Sequence, residues 1–253
     1  MKTVKVIVLA VVVSIFSVNV YARDISVAAA ANLQPVLGQL TTAFEKQNDI
    51  HVKIIIGSSG QLTAQIENGA PFDVFLSADM KYPKVLYKKG LALQEPKAYA
   101  YGVLVLWTLK DVDLSKGMAI LSDEQIKKIA LADPQLAPYG REAVRAMKFY
   151  KLYQDIQKRL VYGESISQTN GFIASRSADI GFTSKSTVLS PNLKDKGTWT
   201  EVAPESYGRI AQGVVCLKHS QKDKFESVQK FYNFLFSTEA KMIFKKYGYR
   251  VDE

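Results

Sequence analysis

One cysteine in 253 residues leaves this chain without a disulfide. Cys216 lies in the apolar run Gly213-Val-Val-Cys-Leu217 and reads as a small buried hydrophobe, with no second thiolate for a metal site. Histidine is nearly as scarce: His51 and His219 stand far apart in polar settings and read as surface residues. Basic residues outnumber acidic ones 33 to 24. They form no stripe and have no aromatic residues interleaved among them, so nucleic acid is not an expected partner. After the N-terminus no apolar run approaches 18 residues, which leaves no candidate for a membrane span in the body of the chain.

The N-terminus, MKTVKVIVLAVVVSIFSVNVYA, places Lys2 and Lys5 before an apolar run, with small residues at Val20 and Ala22. This is the layout of a secretory signal peptide, residues 1–22, cut after Ala22. Removing it takes two of the 33 basic residues and no acidic one, so 31 minus 24 leaves a net charge of +7. The expected location is the periplasm, since no cysteine stands near the cut to carry a lipid.

From Asp24 onward, short apolar strands alternate with amphipathic segments, the mark of βα units on mainly parallel sheets. Strands are expected over residues 25–30, 52–56, 73–76, 101–107, 128–132, 160–162, 180–183 and 213–218. Helices are expected between most of them, with two more at the C-terminus. Gly69 with Pro71, and later Gly248, read as helix stops. The order predicts an α/β protein of two lobes, each a mainly parallel sheet flanked by helices, with a ligand cleft between. The first lobe is expected to comprise residues 23–98 and 219–253, the second 99–218.

Several strand ends pass into helices through small, neutral, hydrogen-bonding residues: Ala31-Asn32, Ser58-Ser59-Gly60, Pro138-Tyr139-Gly140 and Ser165-Ile166-Ser167. In open α/β sheets the carboxyl ends of strands face the crevice. The first turn of a helix carries N–H groups without partners and a partial positive charge, so several such ends aimed together bind an oxyanion without lysine or arginine. Each of these residues also has an ordinary use as a helix cap or turn. The Gly57-Ser-Ser-Gly60 turn could instead hold a serine nucleophile, but it misses the G-x-S-x-G spacing and no late histidine stands in a base position. Asp73 and Asp79 could pair for acid-base work or serve as caps.

The segments AAAANLQPVL, GSSGQLTAQIENGAPFDVFLSAD, LADPQLAPYGREA, GESISQ, ADIGFTSKS and FYNFLFSTEAKMIFKKYGY together resemble the periplasmic molybdate-binding proteins of bacterial ABC transporters, along essentially the whole mature chain. The resemblance implies a two-lobe periplasmic binding fold, no enzymatic activity and no cofactor. It implies a molybdate or tungstate ligand, held as an oxyanion and not as a free metal cation. By position, Asn32 would supply its side chain, and Ala31 or Asn32 a backbone N–H. Ser59 would give its hydroxyl and N–H, and Tyr139 and Ile166 their backbone N–H groups. Ser58 and Ser184 are further candidates; one branch of the family has a tyrosine ligand where this chain has Ser184, and a serine where it has Asn32. The implied partner is an inner-membrane ABC permease with its ATPase, served by a monomer. Another oxyanion such as sulfate in the same fold, and an exported serine hydrolase, are the alternatives.

Overall fold

Short apolar stretches carry the strands, the central ones with side chains covered on both faces, and the helices between them bury one stripe each. The computed structural model describes residues 24–221 and 224–252, so the expected signal peptide lies outside the described residues. In chain order the first elements are β1 (Ile25–Ala30), α1 (Gln34–Gln47), β2 (Val52–Gly57), α2 (Ser59–Glu67), β3 (Val74–Ser77), α3 (Lys81–Lys88), β4 (Lys97–Gly102) and β5 (Leu104–Thr108). Then come β6 (Ile129–Ala132), α4 (Pro138–Phe149), α5 (Tyr153–Ile156), β7 (Leu160–Gly163), α6 (Ile166–Ala174), β8 (Ile180–Ser184) and α7 (Lys185–Val188). The chain closes with β9 (Thr198–Glu201), β10 (Ile210–Cys216), α8 (Phe225–Phe234) and α9 (Thr238–Lys246). Gly69 and Gly248 take φ of +85° and +78° after α2 and α9, where a side chain would strain the turn.

Two five-stranded sheets result, ordered β2-β1-β3-β10-β4 and β7-β6-β8-β5-β9. In each, a single strand runs against the other four: β10 is antiparallel to β3 and β4, and β5 to β8 and β9. These reversed strands follow the two crossings between lobes, β4 to β5 and β9 to β10. The expected lobe limits are corrected accordingly. All of β4 and β10 belong to the first sheet, so the first crossing is at Val103 and the return lies between Glu201 and Ile210. The apolar stretch 101–107, read as one strand, is two strands on different sheets, since Leu104 pairs with Ser184 while Tyr101 pairs with Ala211. The half-exposed edge strand β9 had no apolar pattern to announce it.

The parallel strands end together at the interlobe cleft. Ala30 pairs with Gly57 and Ala29 with Leu76 in the first sheet, and Ala132 with Gly163 in the second. Helices α1, α8 and α9 cover one face of the first sheet, with Phe44 edge-on to Phe231 at 5.1 Å. The main apolar cluster of the second lobe also takes in Ala30, Ala31 and Ala78 from the first, so the lobes are closed on each other. Asp73, fully buried, ties the start of the first sheet: its Oδ2 accepts from the Ser26 amide at 2.7 Å and the Lys224 ammonium at 3.2 Å. It is a structural carboxylate.

In the second lobe, the first turn of α4 lies against the end of β6 so closely that a Cβ on Gly140 would overlap the carbonyl oxygen of Ala132. Only glycine allows that approach. Gly140→Ala is expected to destabilise the protein by about 3 kcal/mol, lowering Tm by about 6–12 °C in thermal unfolding; an unchanged Tm would show that the helix can retreat without cost.

Candidate functional site

At the cleft, the ends of β1, β2 and β3 meet the first turns of α4 and α6 around one cavity of about 10 Å³. That is close to the volume of a single water-sized sphere, so the closed site suits a ligand of few atoms. Ala31, Asn32, Ser58, Ser59, Tyr139 and Ile166 all line it, together with Ala30, Ala78, Ala137 and Pro138. No charged side chain is among the lining residues. Ser184 lies outside them.

Each lining residue has a local reason for its place. Ser59, Tyr139 and Ile166 are the first, second and first residues of α2, α4 and α6. Their amides precede any carbonyl their own helix could offer as acceptor. The Ser59 hydroxyl oxygen accepts from the Ala78 amide at 3.0 Å, which fixes its position and leaves its proton free to donate. Ser58 is different. Its hydroxyl accepts from the Gln61 amide at 3.3 Å and contacts Gln61 Oε1 at 2.9 Å, a capping box in which its donor is already used.

Asn32 departs from the role implied by its position. The two Nε2 protons of Gln212 face the carbonyls of Ile210 and Ala78, at 3.1 and 3.3 Å, so Gln212 turns its Oε1 toward Asn32. Asn32 Nδ2 then donates to Gln212 Oε1 at 2.8 Å and to the Tyr249 hydroxyl at 2.9 Å. Both of its side-chain protons are therefore engaged, and what the Ala31-Asn32 turn offers the cavity is main chain. Ser184 is likewise occupied, its hydroxyl 2.8 Å from that of Ser186 and 2.9 Å from that of Thr187. Position along the chain could not reveal these partners, which for Asn32 lie 180 and 217 residues away.

Tyr139 is also buried through its side chain. Its hydroxyl packs against the Cα of Gly102, at the first crossing, and has no hydrogen-bond partner. Burial pushes the phenols of Tyr139 and Tyr249 well above their ordinary range, so both stay protonated. Cys216, also buried, is pushed up to about 11 by desolvation and is inert as a thiolate. Neither histidine lines the cavity: His51 sits before the far end of β2, exposed and 3.0 Å from Glu45. The nucleophile reading of the Gly57-Ser-Ser-Gly60 turn therefore finds no base.

Cross-cleft bonds hold the walls together. The Gly60 amide donates to the Leu136 carbonyl at 2.9 Å, Tyr82 donates to the Gln135 carbonyl at 2.8 Å, and Asp79 pairs with Arg141. Asp79 also accepts from the Tyr82 amide at 3.2 Å, so it caps α3 and latches the lobes at once. The cap at Asp79 is the one its position in the sequence offered; that Asp79 and Gly60 also reach across the cleft depends on Arg141 and Leu136, far along the chain.

The profile of the bacterial extracellular solute-binding protein family matches residues 25–250. The chain is 35% identical over 229 residues to the molybdate-binding protein of Rhodobacter capsulatus, covering 90% of this chain and 88% of that one. It is similar in structure to the Azotobacter vinelandii periplasmic molybdate-binding protein, with a TM-score of 0.84 and 33% identity over 90% of this chain and all of that one. A sulfate-binding protein of Mycobacterium tuberculosis has a TM-score of 0.74 at 14% identity, a likeness of fold alone. Among the described residues, no helix is long and apolar enough to cross a membrane.

A Cβ on Gly60 would stand 2.8 Å from the Tyr82 hydroxyl and 3.0 Å from the Leu136 carbonyl oxygen. Gly60→Ala is therefore expected to prop the lobes apart while favouring the helix itself. Small-angle X-ray scattering should give a larger radius of gyration than wild type at equal or higher Tm. An unchanged radius would show that this contact does not set the closed position.

Proposed function

This chain belongs to the bacterial extracellular solute-binding protein family, and within that family we propose that it captures molybdate, and tungstate with it, in the periplasm for delivery to an ABC permease and its ATPase. The observation that carries the reading is the cavity itself: small, walled by the first turns of three helices, and free of charged side chains. Similarity to the molybdate-binding proteins of R. capsulatus and A. vinelandii over nine tenths of the chain supports the choice of ligand.

In this reading the anion accepts from the Ser59 hydroxyl and from the amides of Ser59, Tyr139 and Ile166, with the Ala31-Asn32 turn supplying main-chain donors. A hydrogen bond to a charged group contributes about 1.5–3 kcal/mol, so five or so such donors suffice for tight binding after desolvation. Neutral donors also let a doubly charged ion leave again, because no counter-charge must be separated from it. Selectivity follows from what the walls hold. Phosphate carries a proton at neutral pH and finds no carboxylate among the lining residues to accept it. Sulfate is smaller and would leave donors unpaired, at about 1–3 kcal/mol each.

Two measurements test this. Molybdate or tungstate at 1,000 times its Kd adds about 4 kcal/mol and should raise Tm by roughly 8–16 °C; a rise with sulfate or phosphate and none with either of these two would overturn the ligand. Ser59→Ala removes a donor and should weaken binding by roughly 10- to 100-fold in calorimetry. Ser58→Ala removes a helix cap and should cost about 1 kcal/mol of stability with little change in affinity. If the two variants exchanged these effects, the assignment of the serines would be wrong.

A further inference from the structure

Behind the cavity lies a set of buried polar groups drawn from both lobes and from the C-terminal tail. The carbonyl of Asn32 accepts two hydroxyl bonds: Ser186 Oγ, from α7 of the second lobe, and Tyr249 Oη, from the segment after α9, each at 2.8 Å. Ser186 and Tyr249 also stand 3.2 Å apart. A tyrosine has one proton; Tyr249 gives it to the Asn32 carbonyl, and its oxygen accepts from Asn32 Nδ2 at 2.9 Å. Gln212 completes the set at 2.8 Å from the same amide. All four residues are at most 4% exposed. Only Ser186 comes from the second lobe.

We propose that Ser186 is a positioning residue for ligand capture: closing of the lobes delivers its hydroxyl to the Asn32 carbonyl, where with Tyr249 it locks the Ala31-Asn32 turn in its binding geometry. The inference rests on the anion-binding reading of the cavity and extends it to a residue that does not line it. Two further side-chain bonds across the cleft differ in kind from the Ser186 bond. Ser167 donates to Gln34 at 2.7 Å and Gln61 to Glu164 at 3.1 Å, both in exposed positions where water replaces a lost partner. The Ser186 bond is dry, and it forms only when the lobes meet. Its loss leaves one acceptor lone pair of a buried carbonyl unfilled in the closed state; within the second lobe it also removes a 2.8 Å contact to Ser184, whose hydroxyl keeps Thr187 as a partner at 2.9 Å, so an open state loses far less.

The test compares wild type, Ser186→Ala and Ser167→Ala. Molybdate release is followed by stopped flow, and interlobe distance by pulsed electron resonance between spin labels at the exposed positions Lys88 and Lys158. Ser186→Ala is expected to release molybdate about tenfold faster at an unchanged Tm of the ligand-free protein, and Ser167→Ala less than about twofold faster. Release at the wild-type rate, or a loss of ligand-free Tm that accounts for the whole effect, overturns the proposal. A wild type that binds none of molybdate, tungstate, sulfate and phosphate sinks the anion reading instead. The ligand-free distance distributions then decide for Ser186: identical distributions in wild type and Ser186→Ala contradict its role, and a shift to longer distances in the variant supports it.

Discussion

The first turn of an α-helix has amides that its own carbonyls cannot reach, and the architecture of this protein depends on where those amides are sent. Three helices, α2, α4 and α6, each follow a parallel strand, α4 after the loop 133–137, and those strand ends meet at one cleft. Sheet register therefore places the amides as firmly as it places the strands. The Gly140 contact with Ala132 holds α4 against its sheet, and the Ser58 capping box settles the start of α2, so the donors keep their directions before any ligand arrives. Preorganised donors around a small cavity need no lysine or arginine to hold an anion.

Closure adds what neither lobe has alone. Backbone contacts such as Gly60 to Leu136 bring the walls together, the Asp79–Arg141 pair latches the rim, and the Asn32, Gln212, Tyr249 and Ser186 cluster fills the back. Two crossings, at Val103 and between β9 and β10, are the only covalent links between the sheets among the described residues. Tyr139 packs its ring against Gly102 beside the first of them, which ties a cavity-lining residue to the crossing itself. Binding, closure and hinge are thus adjacent in space.

Much of this was legible in the sequence because the signals were local. Strand end, hydrogen-bonding residues and helix start lie close together in sequence, so the four junctions at Asn32, Ser59, Tyr139 and Ile166 could be found and brought to one cleft by the rule for parallel sheets. What was not legible was long-range. The run from Tyr101 to Trp107 is uniformly apolar, and nothing in it marks the change of sheet at Val103. β10 reads as a strand in either lobe until its partners β3 and β4 are known. Asn32 matched the position of a side-chain ligand, yet Gln212 and Tyr249 take both its protons. Gly248 was visible as a helix stop, but not that the turn it makes sends Tyr249 back to Asn32.

In the proposed function, neutral donors from two lobes hold the anion. This is tested most directly by a crystal structure with bound molybdate, phased to show the anomalous signal of molybdenum. One strong peak is expected in the cavity, with the anion's oxygens within hydrogen-bond distance of the Ser59 hydroxyl and the Tyr139 and Ile166 amides. A peak held by lysine or arginine side chains elsewhere, with the cavity unchanged, would contradict the proposal.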